Sequence, residues 1–139
     1  MGHTLVTIKV QNAHDWAAAQ DPKGRKARHI RTVIIPDALV DTGTTHLCLP
    51  TRYIKQLGLR PLPRTLRATT AVGVVERQVY SGAQLTIKDR TDEFTVVEVP
   101  DEAPALVGVV PLELLDYMVD PTTQTLVGKH GATRVVLMY

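Results

Sequence analysis

Asp41 is the residue with the clearest chemical potential. It follows the apolar run Ala38-Leu39-Val40, precedes the polar stretch Thr42-Gly43-Thr44-Thr45, and is succeeded after His46 by Leu47-Cys48-Leu49-Pro50. The pattern describes a strand that leaves the core, delivers a carboxylate, turns on a glycine and returns. Such a turn holds a carboxylate on a rigid support, beside backbone N–H donors that fix its orientation. The chemistry open to it is proton transfer: a carboxylate takes a proton from water, and its protonated form hydrogen-bonds a carbonyl oxygen. Asp-Thr-Gly alone would also suit a solvated Asx turn onto Gly43, so the flanking residues decide the reading.

The other reactive side chains have plainer roles. Cys48 alternates with Leu47 and Leu49, which makes it a core thiol and not a nucleophile. His46 shares its face, but nothing in the sequence orients that imidazole. The five histidines, His3, His14, His29, His46 and His130, have no metal-ligand spacing, so neither metal nor cofactor is expected. The basic run Lys23-Gly24-Arg25-Lys26-Ala27-Arg28-His29 lacks an aromatic platform and reads as a solvated loop, with no nucleic-acid partner expected.

The elements around Asp41 are short and mostly extended. Thr4–Val10 alternates as a strand and Arg31–Pro36 reads as another. Between them Asn12–Arg28 is irregular, with a helical turn allowed at Trp16-Ala17-Ala18-Ala19 and a turn at Asp21-Pro22-Lys23-Gly24. Pro50–Leu59 reads as a short helix, capped by Thr51 and stopped by Gly58. Strand-like runs follow at Thr65–Ala71, Val74–Ser81, Gln84–Lys88 and Phe94–Val99, separated by turns at Val72-Gly73, Ser81-Gly82 and Lys88-Asp89. A second helix is expected over Pro111–Val119, with Leu112, Leu115 and Val119 in one stripe. Strands at Gln124–Val127 and Thr133–Tyr139 complete the chain. Closely spaced turns between short strands argue for a closed or sandwiched β architecture.

Bulk properties agree. The chain has 139 residues, 44% apolar and 22% charged, with a net charge of +2. That length suits one compact domain, residues 1–139, in which 12–28 is a loop insertion. Aromatics are only 4%, so the core must be aliphatic. One cysteine permits no intrachain disulfide and suits a reducing compartment. No long apolar run or basic leader stands out, so a soluble cytoplasmic protein with no membrane contact is expected.

From Ala38 to Leu49 the sequence resembles the active-site loop of the retropepsin-like, clan AA aspartic peptidases in their single Asp-Thr-Gly form. Ala105-Leu106-Val107-Gly108 resembles the family's second hallmark, an apolar–apolar–Gly segment ahead of a helix. Ala71-Val72-Gly73-Val74-Val75 matches the place of the flap, the hairpin that closes over substrate, although it has no evident tyrosine. The resemblance implies a mainly β, closed acid-protease barrel with two short helices. It makes Asp41, Thr42, Gly43 and Thr44 the catalytic loop, Val72, Gly73 and Val74 the substrate-binding flap, and Leu106, Val107 and Gly108 a structural support. Within the loop, Thr42 would brace two subunits, the Gly43 N–H would point at the carboxylates and Thr44 would donate to the outer oxygen.

Hydrolysis of this type uses two carboxylates, and no second Asp-Thr-Gly or Asp-Ser-Gly occurs. A homodimer supplies the second across a two-fold axis, with the terminal strands Thr4–Val10 and Val135–Tyr139 as candidates for an intersubunit sheet. The expected function is an aspartic endopeptidase acting on peptides or proteins. The alternative is a dimeric peptide-binding module that keeps the fold without turnover.

Overall fold

The computed structural model describes residues 3–21 and 29–136. The basic residues Lys23–Arg28 lie outside the described residues, as do the last three of the expected final strand.

A six-stranded barrel forms the body, in the order β1 (Thr4–Asn12), β2 (Thr32–Val40), β7 (Leu106–Val107), β3 (Leu47–Pro50), β6 (Arg90–Val99) and β5 (Gly73–Ile87). Pairing of Lys9–Asn12 with Ala83–Thr86 closes the ring. Closure follows from alternation: Ile8 and Val10 of β1, Leu85 and Ile87 of β5 and Val96 of β6 all point inward and are fully buried. The core is aliphatic, with Phe94 and Tyr117 as its buried aromatics. Outside the ring, β4 (Arg60–Thr70) pairs with the first half of β5 as a hairpin arm, over a small second cluster of Cys48, Val79 and Val97.

Three helices occur among the described residues, one more than expected: α1 (Ala13–Ala19), α2 (Thr51–Leu57) and α3 (Val109–Leu114). Asn12 explains the first, because its side chain accepts the Asp15 N–H at 2.9 Å while donating to the Leu57 carbonyl at 2.8 Å. Gly58 ends α2 in the left-handed conformation, φ 62°, as expected. Thr51 does not cap that helix. Pro50 occupies the cap position, and the Thr51 hydroxyl donates instead to Glu98 Oε2 at 2.7 Å.

Two expected elements are corrected. Ser81-Gly82 is not a turn: β5 runs through it, with a bulge between Tyr80 and Ala83 and Gly82 at φ 80°. The glycine kinks one long strand as it passes from the hairpin arm into the barrel. The helix expected over Pro111–Val119 stops at Leu114, and β8 (Tyr117–Asp120) pairs with β9 (Thr125–Gly128). The break lies at Asp116, φ 60° and 2% exposed, whose carboxylate accepts the Val135 N–H at 2.9 Å and meets His130 Nδ1 at 2.8 Å. Burial pushes that carboxyl up, but the Val135 N–H, His130 and the charge of Arg90 outweigh it and hold it below the usual range.

Arg90 secures the same corner. Its side chain donates to the carbonyls of Leu115 (3.1 Å), Asp116 (2.6 Å) and Gly131 (2.8 Å), and its guanidinium lies 4.6 Å from the Tyr117 ring centroid. Tertiary hydrogen bonds thus override the apolar stripe that would have continued the helix. Arg90→Met removes donors from three carbonyls, two of them buried, and is expected to cost about 3 kcal/mol. Thermal unfolding followed by circular dichroism would show the melting temperature falling by about 10 °C. An unchanged value would refute the assignment of this corner to Arg90.

The terminal strands also differ from expectation. β1 pairs with β2 along its length and with β5 from Lys9, so its second half is consumed within the subunit. Residues 133–136 form no strand.

Candidate active site

The strands that flank Asp41 do not pair with each other; β7 lies between them. Leu39 and Val40 run parallel to Leu106 and Val107, while Leu47 and Cys48 run antiparallel to Val107 and Leu106. The loop over residues 41–46 therefore arches across the end of β7. Its base is fastened by backbone bonds: Asp41 N–H to Val107 O (3.0 Å), Gly108 N–H to His46 O (3.0 Å), Val109 N–H to Thr44 O (2.8 Å) and Val110 N–H to Thr45 O (2.9 Å). This close approach explains Gly108. A Cβ there would lie 2.4 Å from Thr44 O, 2.6 Å from His46 O and 2.7 Å from Thr45 C.

Asp41 is half-buried at the turn. The Gly43 N–H donates to Oδ1 at 2.9 Å and the Thr44 hydroxyl to Oδ2 at 2.7 Å. Both carboxylate oxygens are thus oriented by donors from the same short loop. The Thr44 N–H closes the turn onto the Asp41 carbonyl at 3.1 Å. Thr42 and Gly43 are exposed, and the Thr42 side chain takes no part in this hydrogen bonding. It borders a cavity of about 600 Å³ lined by Val109, Val110, Leu114, Val135 and Val136 among others. No local signal in the sequence announced that cavity, because β8 and the residues after β9, Lys129, His130, Val135 and Val136, reach it from far along the chain.

Val72, Gly73 and Val74 lie at the end of the hairpin arm. Thr70 pairs with Gly73 across the two-residue turn Ala71-Val72, and the Thr70 hydroxyl donates to Gly73 O at 2.9 Å. Gly73 has φ 113°, a conformation that glycine adopts readily. Val72 is 89% and Val74 67% exposed, so the tip presents apolar side chains to solvent. Leu106 and Val107 fill the slot beneath the Asp41 loop, Val107 fully buried.

Cys48 is buried in the cluster under the arm. Burial first, and the nearby Asp41 charge second, push its thiol up to about 11, against a smaller opposing effect of Arg77. A thiol so protonated near neutrality is not a nucleophile. No helix among the described residues is long and apolar enough to cross a membrane.

The arrangement orients one carboxylate, that of Asp41, by donors from its own loop. Among curated proteins, none matches the chain. A family model described as gag-polyprotein putative aspartyl protease matches residues 34–113. That span runs from β2 through the Asp41 loop, the hairpin arm and Gly108 to α3, more than half of the chain. With the closed barrel and the loop fastened by Gly108, this match makes the chain a member of the gag-polyprotein putative aspartyl protease family, with a retropepsin-like fold.

Proposed function

We propose that the chain is an aspartic endopeptidase active as a homodimer, in which Asp41 of each subunit forms the catalytic pair. The observation that carries the reading is the Asp41 carboxylate, both of whose oxygens are oriented, on a loop whose backbone is fastened by residues 107–110. Two such carboxylates brought together cannot both ionise, so they share one proton and titrate as a pair. The ionised Asp41 takes a proton from water as that oxygen bonds to the scissile carbonyl carbon. The protonated partner gives its proton to the carbonyl oxygen, and a tetrahedral diol forms. Its collapse breaks the C–N bond, and a proton passes from the pair to the leaving nitrogen. Gly43 N–H and Thr44 hold the carboxylates in line throughout, and the hairpin arm covers the peptide.

The homodimer has support from the surface around Thr42. Val110, Met118, Val135 and Val136 are 45%, 44%, 38% and 48% exposed there, about the cavity bordered by Thr42. A clustered apolar surface of this kind is one that a partner covers. A second copy of the chain seated on it would bring Thr42, and with it Asp41, toward its counterpart. The test is cleavage of unfolded casein between about pH 3 and 7, the range over which carboxylate pairs titrate. Peptide products from wild type and none from Asp41→Asn support the reading; silence from a dimeric wild-type sample contradicts it.

A further inference from the structure

The hairpin arm carries a charge on its inner side. Register places Leu66 opposite Arg77, Ala68 opposite Val75 and Thr70 opposite Gly73. Cross-strand partners share a face, and so do residues two apart on a strand. Leu66, Ala68, Val75, Arg77 and Val79 therefore lie on one side of the arm. That side is turned to the barrel: Val79 is 1% exposed and Leu66 packs with it against Cys48 and Val97. The opposite side, with Thr65, Arg67, Thr69, Val74 and Glu76, is exposed. Between Leu66 and Arg77 the inner side carries no other charge.

Arg77 is half-buried, and its side chain has no hydrogen-bond or ion-pair partner among the described residues. Arg60, Arg64 and Arg67 are exposed to solvent, whereas four other arginines are engaged. Arg31 pairs with Asp15, Arg52 with Asp101 and Arg134 with Asp92, while Arg90 donates to three carbonyls. A guanidinium offers five N–H donors in a fork that matches a carboxylate. Held under an apolar arm without an acceptor, it is free for a group that arrives with the ligand. Leu66, the cross-strand partner of Arg77, packs on the cluster of Cys48, Val79 and Val97, and Cys48 lies on β3, the strand that follows the Asp41 loop. The inner side of the arm that carries Arg77 therefore lies over the strand that leads out of that loop.

We propose that Arg77 is a specificity-determining residue, which receives an acidic side chain of the peptide a few residues from the scissile bond through a bidentate guanidinium–carboxylate contact. The inference rests on the aspartic-peptidase reading above. Ala68 and Val75 separate Arg77 from the tip of the arm, so the acid sits towards the barrel and not at the bond that the tip covers. Partial burial weakens screening by salt and makes the contact worth more than a surface pair.

The test uses synthetic peptides with a central Leu-Leu pair, in which one flanking position at a time is Glu, Gln or Lys. kcat/KM is measured for wild type, Arg77→Met, Arg77→Glu and Asp41→Asn. At one flanking position wild type is expected to prefer Glu over Gln by about tenfold, the size of a charge-assisted hydrogen bond. Arg77→Met loses that preference while cleaving the Gln peptide within about twofold of wild type, and Arg77→Glu turns the preference to Lys. Asp41-dependent cleavage without a Glu preference, or with one that survives in Arg77→Met, overturns the role of Arg77 and leaves the peptidase reading standing. Cleavage unaffected by Asp41→Asn, or no cleavage of any peptide, overturns the peptidase reading and this inference with it.

Discussion

Asp41→Asn is expected to lower kcat/KM for peptide hydrolysis by about a thousandfold or more, the size of a lost general acid–base group. The melting temperature should stay within a few degrees, as for most substitutions that open no cavity and bury no unpaired charge. Asparagine has the shape of aspartate, and its oxygen can still accept the Gly43 N–H now 2.9 Å from Oδ1. Its amide can donate to the Thr44 hydroxyl, which now donates to Oδ2 at 2.7 Å. The loop therefore keeps its shape, while the group can no longer take a proton from water. Rates on a single peptide, with a thermal melt of the same sample, separate the two effects. Retained turnover would place the chemistry elsewhere.

Gly108→Ala is expected to damage the fold and the site together. The glycine has φ −90° and ψ −169°, which any residue adopts, so the cost is steric and not conformational. Its Cβ would press on Thr44 O at 2.4 Å, His46 O at 2.6 Å and Thr45 C at 2.7 Å, all of them backbone. No side chain can rotate to make room. Overpacking of this kind should cost about 3 kcal/mol and lower the melting temperature by about 10 °C. The displaced carbonyls of Thr44, Thr45 and His46 are the acceptors that fasten the loop. A shift of about 1 Å at Asp41 should therefore reduce the rate of the surviving folded fraction by about a hundredfold. Wild-type stability in Gly108→Ala would mean that the loop is not held in this way.

Much of this was legible in the sequence because it is encoded locally. The Asp41 loop is a contiguous pattern, apolar then polar then alternating, and each hydrogen bond to the carboxylate comes from within three residues. The stop at Gly58 and the turn at Lys88-Asp89 were equally local. What could not be read is set by contacts distant in sequence. The helix expected through Val119 stops at Leu114 because Arg90, His130 and the Val135 N–H draw Asp116 out of the helical path. Ser81-Gly82 has the composition of a turn, yet the barrel needs a bent strand there, and the same glycine serves. Trp16 and its neighbours fold as a helix because Asn12, at the end of a strand, caps them. The cavity beside Thr42 and the inner face of the arm at Arg77 are products of topology. Only the register of β4 against β5 turns Arg77 inward, and no tripeptide motif carries that information.

Subunit mixing shows whether two copies of Asp41 make one site. Wild type and Asp41→Asn are combined in equal amounts, allowed to exchange subunits, and assayed at fixed total protein. If each site needs an aspartate from both subunits, only wild-type homodimers cleave, and activity falls to about one quarter of the all-wild-type value. A value of about one half would mean that each chain works alone and would contradict the shared catalytic pair.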